Sequence, residues 1–138
     1  MTAADLSGRD LDVAVARALG WEWVDVPPDY HGHHSGRVLV RSASGFLASG
    51  ADFPKVGKLV ESFYVPRYST DPATLDEKLE WLRQNASDVL AMLSSSGKGV
   101  ELSTDDYDDY GFRGIVARGK DIHEATARLV VAVKEAMP

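Results

Sequence analysis

Arginines and aromatic residues near predicted strands are the side chains best suited to bind a ligand. The arginines are Arg37, Arg41, Arg67, Arg113, Arg118 and Arg128, and the aromatic residues are Trp21, Trp23, Tyr64, Tyr68 and Phe112. A guanidinium matches two phosphate oxygens at once, and an aromatic ring stacks on a nucleobase. If several converge, they form a pocket for a small anionic nucleotide. Taken singly, each arginine also fits a surface position and each aromatic residue a core position.

Two further clusters carry atoms that bind metals but lack the spacing of a known site. They are the histidines His31, His33 and His34, and the aspartates Asp105, Asp106, Asp108 and Asp109. The histidines stand in a glycine-bearing loop without the helical or hairpin spacing that preorganises zinc. The aspartates lack the turn glycine and final glutamate of a calcium loop. We therefore predict no metal site, but a solvated loop and a charged hairpin tip.

Catalytic motifs are absent from the sequence. The chain has no cysteine, which excludes thiolate nucleophiles, disulfides and cysteine zinc sites. No serine stands in a G-x-S-x-G elbow, and there is no Walker loop or G-x-G-x-x-G turn. We therefore predict a protein that is not an enzyme and needs no cofactor.

Length and charge limit the classes of protein and partner. A chain of 138 residues with 44% apolar and 26% charged residues predicts one globular domain over residues 1–138. Its net charge of −6 repels nucleic acid polymers and anionic lipid, although a local basic pocket is compatible with it. Residues 1–11 hold no basic leader or apolar run, and no stretch is long enough to cross a bilayer, so we expect a soluble intracellular protein.

Hydrophobic periodicity places the elements of the first half. Residues 8–20 predict a helix that Ser7 caps and Gly20 ends. Strands are predicted at residues 21–26, 37–41 and 62–65, with a brief edge strand at 45–48. Asp71 and Pro72 then predict the start of a central helix.

The second half continues with a long apolar stripe from Leu75 to Leu93, which extends the central helix unless residues 85–87 break it in two. Residues 100–103 and 112–117 predict an antiparallel hairpin. Asp121 with Glu124 starts a last helix whose predicted buried side includes Ile122, Leu129 and Met137. The order αβ(β)βαββα predicts an α+β fold, a mainly antiparallel sheet sandwiched between helices (α-β-α sandwich).

Three segments resemble the phage ABA sandwich domain, a family of small phage proteins. They are residues 18–21 (ALGW) with 26–30 (VPPDY), residues 66–71 (PRYSTD), and the last helix over 125–132 with Arg128. The likeness spans nearly the whole chain, and YSTD is its most distinctive piece. Residues 32–63 and the helical region after Gln84 depart from the compact members of the family.

The resemblance implies an anti-defence protein in the host bacterial cytoplasm. Some similar phage proteins are sponges that bind cyclic ADP-ribose or cyclic oligonucleotide signals of bacterial immunity without cleaving them. Such a protein binds its ligand in pockets between subunits, so a homo-oligomer is expected. The candidate ligand-binding residues are Arg128, Arg118, Arg113, Arg37, Tyr68 and Trp23. Arg128 alone stands at a position like one in the family.

Two other hypotheses remain open. An interaction module would bind a host or phage protein through its sheet or its acidic hairpin and needs no small-molecule pocket. A metal-dependent hydrolase would use the histidine loop and the aspartates, and it is the least favoured of the three.

Overall fold

A computed structural model describes residues 2–26, 36–42, 64–93, 99–104, 107–108, 111–112 and 114–137. The helices in these ranges are α1 (Gly8–Ala18), α2 (Leu75–Asn85) and α3 (Ile122–Ala136). The strands are β1 (Glu22–Val26), β2 (Gly36–Val40), β3 (Val89–Leu93), β4 (Val100–Thr104), β5 (Tyr107–Asp108), β6 (Gly111–Phe112) and β7 (Val116–Gly119). Short 3₁₀ turns at Ala3–Asp5 and Pro72–Thr74 precede α1 and α2.

All strand pairs in the described ranges are antiparallel. Strands β1 and β2 form one sheet, β3, β4 and β7 form a second in that order, and β5 and β6 form a small hairpin. The predicted α+β class with antiparallel strands is confirmed. The strands are divided between separate sheets, where we expected one.

Helix α3 is the centre of the packing. It contacts α1, α2, β4 and β7, and its residues Leu129 and Val130 are fully buried. Leu11 and Val15 of α1 and Leu102 of β4 complete this core. Burial of such an aliphatic side chain contributes about 1.5–3 kcal/mol, so this junction supplies much of the folding energy.

The predicted helix starts and stops are confirmed at three places. Gly20 ends α1 with a positive φ of 98°. The Asp71 carboxylate accepts a hydrogen bond from the amide of Ala73 at 3.0 Å, and that of Asp121 accepts one from the amide of Glu124 at 2.9 Å.

The predicted burial of two residues at the ends of the last helix is wrong. We expected Ile122 and Met137 on the buried side, but they are 38% and 37% exposed. They lie at the two ends of α3, where the helix extends beyond the elements that cover its middle.

The long second helix is wrong beyond Asn85. Ala86 leaves helical geometry with φ −137° and ψ −88°, and the backbone of 89–93 pairs with β4 from Val89↔Thr104 to Leu93↔Val100. A leucine-rich run has the same apolar content in a buried strand as in a helix, so periodicity did not separate the two. The pairing satisfies backbone groups of β4 on the side away from β7.

Two strand predictions also need correction. Tyr64 and Val65, the described end of the expected strand at 62–65, lie outside any strand, because the carbonyl of Val65 accepts from the Arg9 guanidinium at 2.7 Å instead of from a neighbouring strand. The expected strand at 112–117 is divided between β6 and β7. The edge strand predicted at 45–48 lies outside the described residues.

None of the described helices combines the length and the hydrophobicity that a membrane span requires.

Candidate functional site

Residues 65–71, which include the YSTD sequence, are held by buried polar side chains. Asp12 of α1 is almost completely buried, and its carboxylate accepts from the amide of Ser69 at 2.7 Å and from Arg9 at 2.8 Å. Arg9 also donates to the carbonyls of Val65 and Pro66. The segment is therefore fixed against α1 by charge-assisted hydrogen bonds.

Lys78 of α2 binds the same segment from the other side. Its side chain is fully buried, and Nζ donates to the carbonyl of Tyr68 at 2.5 Å and to that of His123 at 3.1 Å. Burial lowers the pKa of Lys78 to about 8, against the opposing effect of the carboxylates of Asp121 and Asp12. Both bonds end on backbone carbonyls, so this lysine acts as a structural connection between α2, the segment and α3.

The side chain of Tyr68 leads from this buried network to β2. Its hydroxyl donates to Glu77 at 3.0 Å, and the same carboxylate accepts two hydrogen bonds from Arg41, at 2.8 and 3.0 Å. The hydrogen bonds from Arg41 lower the pKa of Glu77, and burial raises the pKa of the Tyr68 phenol. At neutral pH the arrangement is therefore a neutral phenol, a carboxylate and a guanidinium.

Two arginines lie over two tryptophans at the first sheet, and we call these four residues the arginine–tryptophan face. The guanidinium carbon of Arg37 lies 4.0 Å from the ring centroid of Trp23, and that of Arg41 lies 4.9 Å from the centroid of Trp21. Side chains alternate along a strand, and Trp23 pairs with Leu39, so the positions 21, 23, 37 and 41 share one side of the sheet. The two stacks are cation–π contacts.

The two arginines of this face differ in their remaining contacts. The guanidinium of Arg41 donates two hydrogen bonds to the carboxylate of Glu77. Arg37 is exposed, and within the described ranges no oxygen accepts a hydrogen bond from it. Within those ranges its N–H groups have no acceptor, and the contact with Trp23 restricts the orientation of its plane.

Arg118 and Arg128 meet at a second place, a cavity of about 470 Å³ that we call the N-terminal cavity. Its walls come from the 3₁₀ turn, β7 and α3, and its apolar lining consists of Ala3, Ala4, Val116, Ala117 and Ala132. Arg118 is 77% exposed at the side chain, and its Nε donates to Glu101 at 2.6 Å. The volume lies in the range of small-molecule sites, about 300–1,000 Å³.

Arg128 has mainly structural contacts in this cavity. Its Nε and Nη2 donate to the carbonyl of Leu6, at 3.3 and 3.2 Å. Its Nη1 donates to the carbonyl of Arg118 and to Glu124, both at 2.9 Å. Its expected role as a phosphate partner stays a prediction, while the geometry shows it joining the N-terminal turn, β7 and α3.

Five of the six predicted ligand residues lie in the described ranges, and they are distributed over two places. Trp23 and Arg37 form one stack, and Tyr68 reaches the same face through an edge-on contact with Trp21, with ring centroids 6.3 Å apart. Arg118 and Arg128 line the N-terminal cavity. No sequence pattern distinguished the two groups, because the grouping depends on strand register and helix packing.

Three predicted regions lie wholly or partly outside the described residues. These are Arg113, the histidines His31, His33 and His34, and the aspartates Asp105, Asp106 and Asp109. Asp108 belongs to β5. Among the residues that the structure describes, no three histidine or acidic side chains are grouped so that they could hold a metal ion.

Lys78 and Asp12 are the polar residues that sequence reasoning missed. Lys78 stands three residues after Leu75 and four before Leu82, and Asp12 stands three before Val15. These spacings put both on the apolar faces of their helices. A charge within an apolar stripe was the available signal.

Comparison of the chain with protein-family models, with curated proteins and with solved structures found no match.

Proposed function

We propose that this protein is a non-enzymatic binding protein that sequesters a small anionic nucleotide. In its specific form, the protein is a phage-encoded sponge for a cyclic nucleotide or cyclic ADP-ribose-type immune signal in the host bacterial cytoplasm. The observation that carries the proposal is the Arg37 guanidinium, stacked 4.0 Å over Trp23 with no acceptor in the described part of the chain. The resemblance of the YSTD and Arg128 segments to phage ABA sandwich proteins suggests the sponge class.

The stack offers two kinds of contact to a nucleotide. The indole covers one side of the Arg37 guanidinium, and a nucleobase would stack on the other side, since bases stack on guanidinium planes as they do on aromatic rings. The N–H groups at the edge of the same guanidinium suit phosphate oxygens. One side chain can therefore contact both the base and the phosphate.

Arg41 and Glu77 support this site through their contact with each other and do not themselves bind the ligand. The bidentate pair holds the Arg41 guanidinium over Trp21, and Tyr68 contacts both Trp21 and Glu77. The pair brings no net charge, so Arg37 supplies the positive charge that a phosphate needs on a chain with a net charge of −6.

The arginine–tryptophan face needs a cover to bind a nucleotide tightly. A second copy of the chain placed against it would exclude water from the bound nucleotide, and charge-assisted hydrogen bonds strengthen when water is excluded. The proposal therefore includes a homo-oligomer with the ligand between subunits.

The test is capture of a cyclic nucleotide followed by recovery. The purified protein is incubated with a panel of cyclic dinucleotides, cyclic trinucleotides and cyclic ADP-ribose, and the bound ligand is released by heat and analysed by mass spectrometry. Intact ligand supports the proposal. Cleaved products would favour the hydrolase, and absence of any capture, together with a host protein in a pulldown, would favour the interaction module.

Matched variants locate the site. Arg37→Gln should weaken capture about tenfold or more, since a hydrogen bond to a charged group contributes about 1.5–3 kcal/mol. Arg83→Gln is the control, because Arg83 is an exposed arginine on α2 paired with Glu80. Equal affinities of the wild type and Arg37→Gln would reject the arginine–tryptophan face as the site.

A further inference from the structure

The N-terminal cavity has an apolar floor and a cationic rim. Ala3 and Ala117 are buried in its floor, and Val116 stands at its edge with 43% of its surface exposed. Val116 is the most exposed large apolar side chain that the structure describes. An aliphatic ligand in the cavity would remove this surface from water, which is favourable in proportion to the apolar area covered.

Arg118 lines the cavity, and its guanidinium has donors to spare. Only Nε bonds to Glu101, which faces Arg118 in the register of β4 and β7. Neither Nη group donates a hydrogen bond within the described ranges. The backbone of Arg118 is fixed separately by Arg128, which donates to its carbonyl. The rim therefore presents a positioned guanidinium that fits the two oxygens of an anion.

The charge around the cavity selects among anions. Glu135 lies in the wall, Glu101 pairs with Arg118, and Glu124 pairs with Arg128. These three carboxylates outnumber the two guanidiniums, so their net charge repels any anion, and it repels a dianion about twice as strongly as a monoanion. A single negative charge placed at the Arg118 edge avoids most of this repulsion.

We propose that the N-terminal cavity binds a small aliphatic carboxylic acid, with the carboxylate on the Nη groups of Arg118 and the chain against Val116 and the floor alanines. Arg128 is a positioning residue of this site, because it orients the backbone of Arg118 and the N-terminal turn. The site is independent of the arginine–tryptophan face, which takes a different ligand through different residues.

Calorimetry with hexanoate, 1-hexanol and hexyl phosphate tests the proposal on the full chain. Hexanoate should bind most tightly, and 1-hexanol about tenfold more weakly, since it lacks the charge that pairs with Arg118. Failure of hexanoate to bind at millimolar concentration would overturn the proposal. Tighter binding of hexyl phosphate than of hexanoate would overturn the assignment to a monoanion.

Three variants and a control locate the binding. Arg118→Gln should lower hexanoate affinity about tenfold, and Ala4→Phe, at an exposed position of the wall, should block it by filling the cavity. Glu135→Gln should raise the affinity for hexyl phosphate more than that for hexanoate. Arg83→Gln, at an exposed position of α2, should leave hexanoate binding unchanged. Wild-type affinity in both Arg118→Gln and Ala4→Phe would show that hexanoate binds elsewhere.

Discussion

The ammonium of Lys78 lies 2.5 Å from the carbonyl oxygen of Tyr68, and none of its side chain reaches solvent. A second bond to the carbonyl of His123 joins the same ammonium to the first turn of α3. Since Tyr68 also contacts Trp21 and Glu77, this lysine connects the core with the residues that support the arginine–tryptophan face. The stability of that face therefore depends on a buried charge in α2.

Replacement of this lysine should destabilise the chain. Lys78→Met keeps the aliphatic volume but leaves two carbonyls without a donor, which should lower the free energy of unfolding by about 2 kcal/mol. Urea denaturation measures the change. The control is Lys134→Met at an exposed position of α3, for which we expect a change within about 0.5 kcal/mol. Equal effects of the two substitutions would contradict the role of Lys78.

The pH dependence of stability should carry the signature of Lys78. Its pKa falls from 10.5 to about 8 on folding, so between these values the unfolded chain binds more protons than the folded one. Stability from this group therefore rises as the pH increases from 8 to 10.5, by an amount on the order of 3 kcal/mol. The measurement is the difference in unfolding free energy between wild type and Lys78→Met across this range. A difference that stays constant or falls would contradict the lowered pKa.

The fold was predictable where one local signal dominated. Asp71, Asp121 and Gly20 marked helix ends correctly, because a cap or a positive φ depends on neighbouring residues alone. The run at 89–93 was assigned to the wrong element, since its strand conformation depends on pairing with β4, far along the chain. Register and partner choice are tertiary properties that local periodicity does not contain.

The candidate site was predictable in residue type but not in grouping. Arginine and aromatic residues were predicted as the side chains suited to a nucleotide, which stays a prediction, and the structure places Arg37 over Trp23. The sequence did not show that Arg118 and Arg128 meet at a separate cavity, because that depends on α3 packing against β7. The sequence also gave no reason to expect that Arg128 would donate hydrogen bonds to the carbonyl of Leu6.

Glu77 should stabilise the chain only while it is ionised. Hydrogen bonds from Arg41 lower its pKa below the usual 4.5, so its contribution is present above that value and is lost as the pH falls through the folded-state pKa. Glu77→Gln should be less stable than wild type at pH 7, with a difference that disappears in acid. Thermal unfolding from pH 7 to pH 2 measures this. A difference that persists at pH 2 would contradict the role of the charge.

The hydroxyl of Tyr68 should be coupled to the same carboxylate. Tyr68→Phe removes the donor to Glu77, and a double-mutant cycle with Glu77→Met, which has no side-chain oxygen to accept the bond, isolates the interaction, which we expect to be about 1–2 kcal/mol because one partner is charged. Trp21 fluorescence should shift in Tyr68→Phe if the edge-on ring contact changes with it. Additive effects of the two substitutions would show that the bond contributes nothing to stability.

An added methyl group at Gly119 should destabilise the chain strongly. A Cβ there would lie 2.4 Å from the amide nitrogen of Ala125 and 2.8 Å from the carbonyl carbon of Glu124, so β7 and the first turn of α3 would have to separate. We expect Gly119→Ala to lower the free energy of unfolding by about 3 kcal/mol. Gly20→Ala is the matched control. A Cβ there meets open space at a φ of +98°, so only backbone strain opposes it, at about 1 kcal/mol. Urea denaturation of both variants separates the two causes, and a smaller loss for Gly119→Ala than for Gly20→Ala would contradict the close approach of β7 to α3.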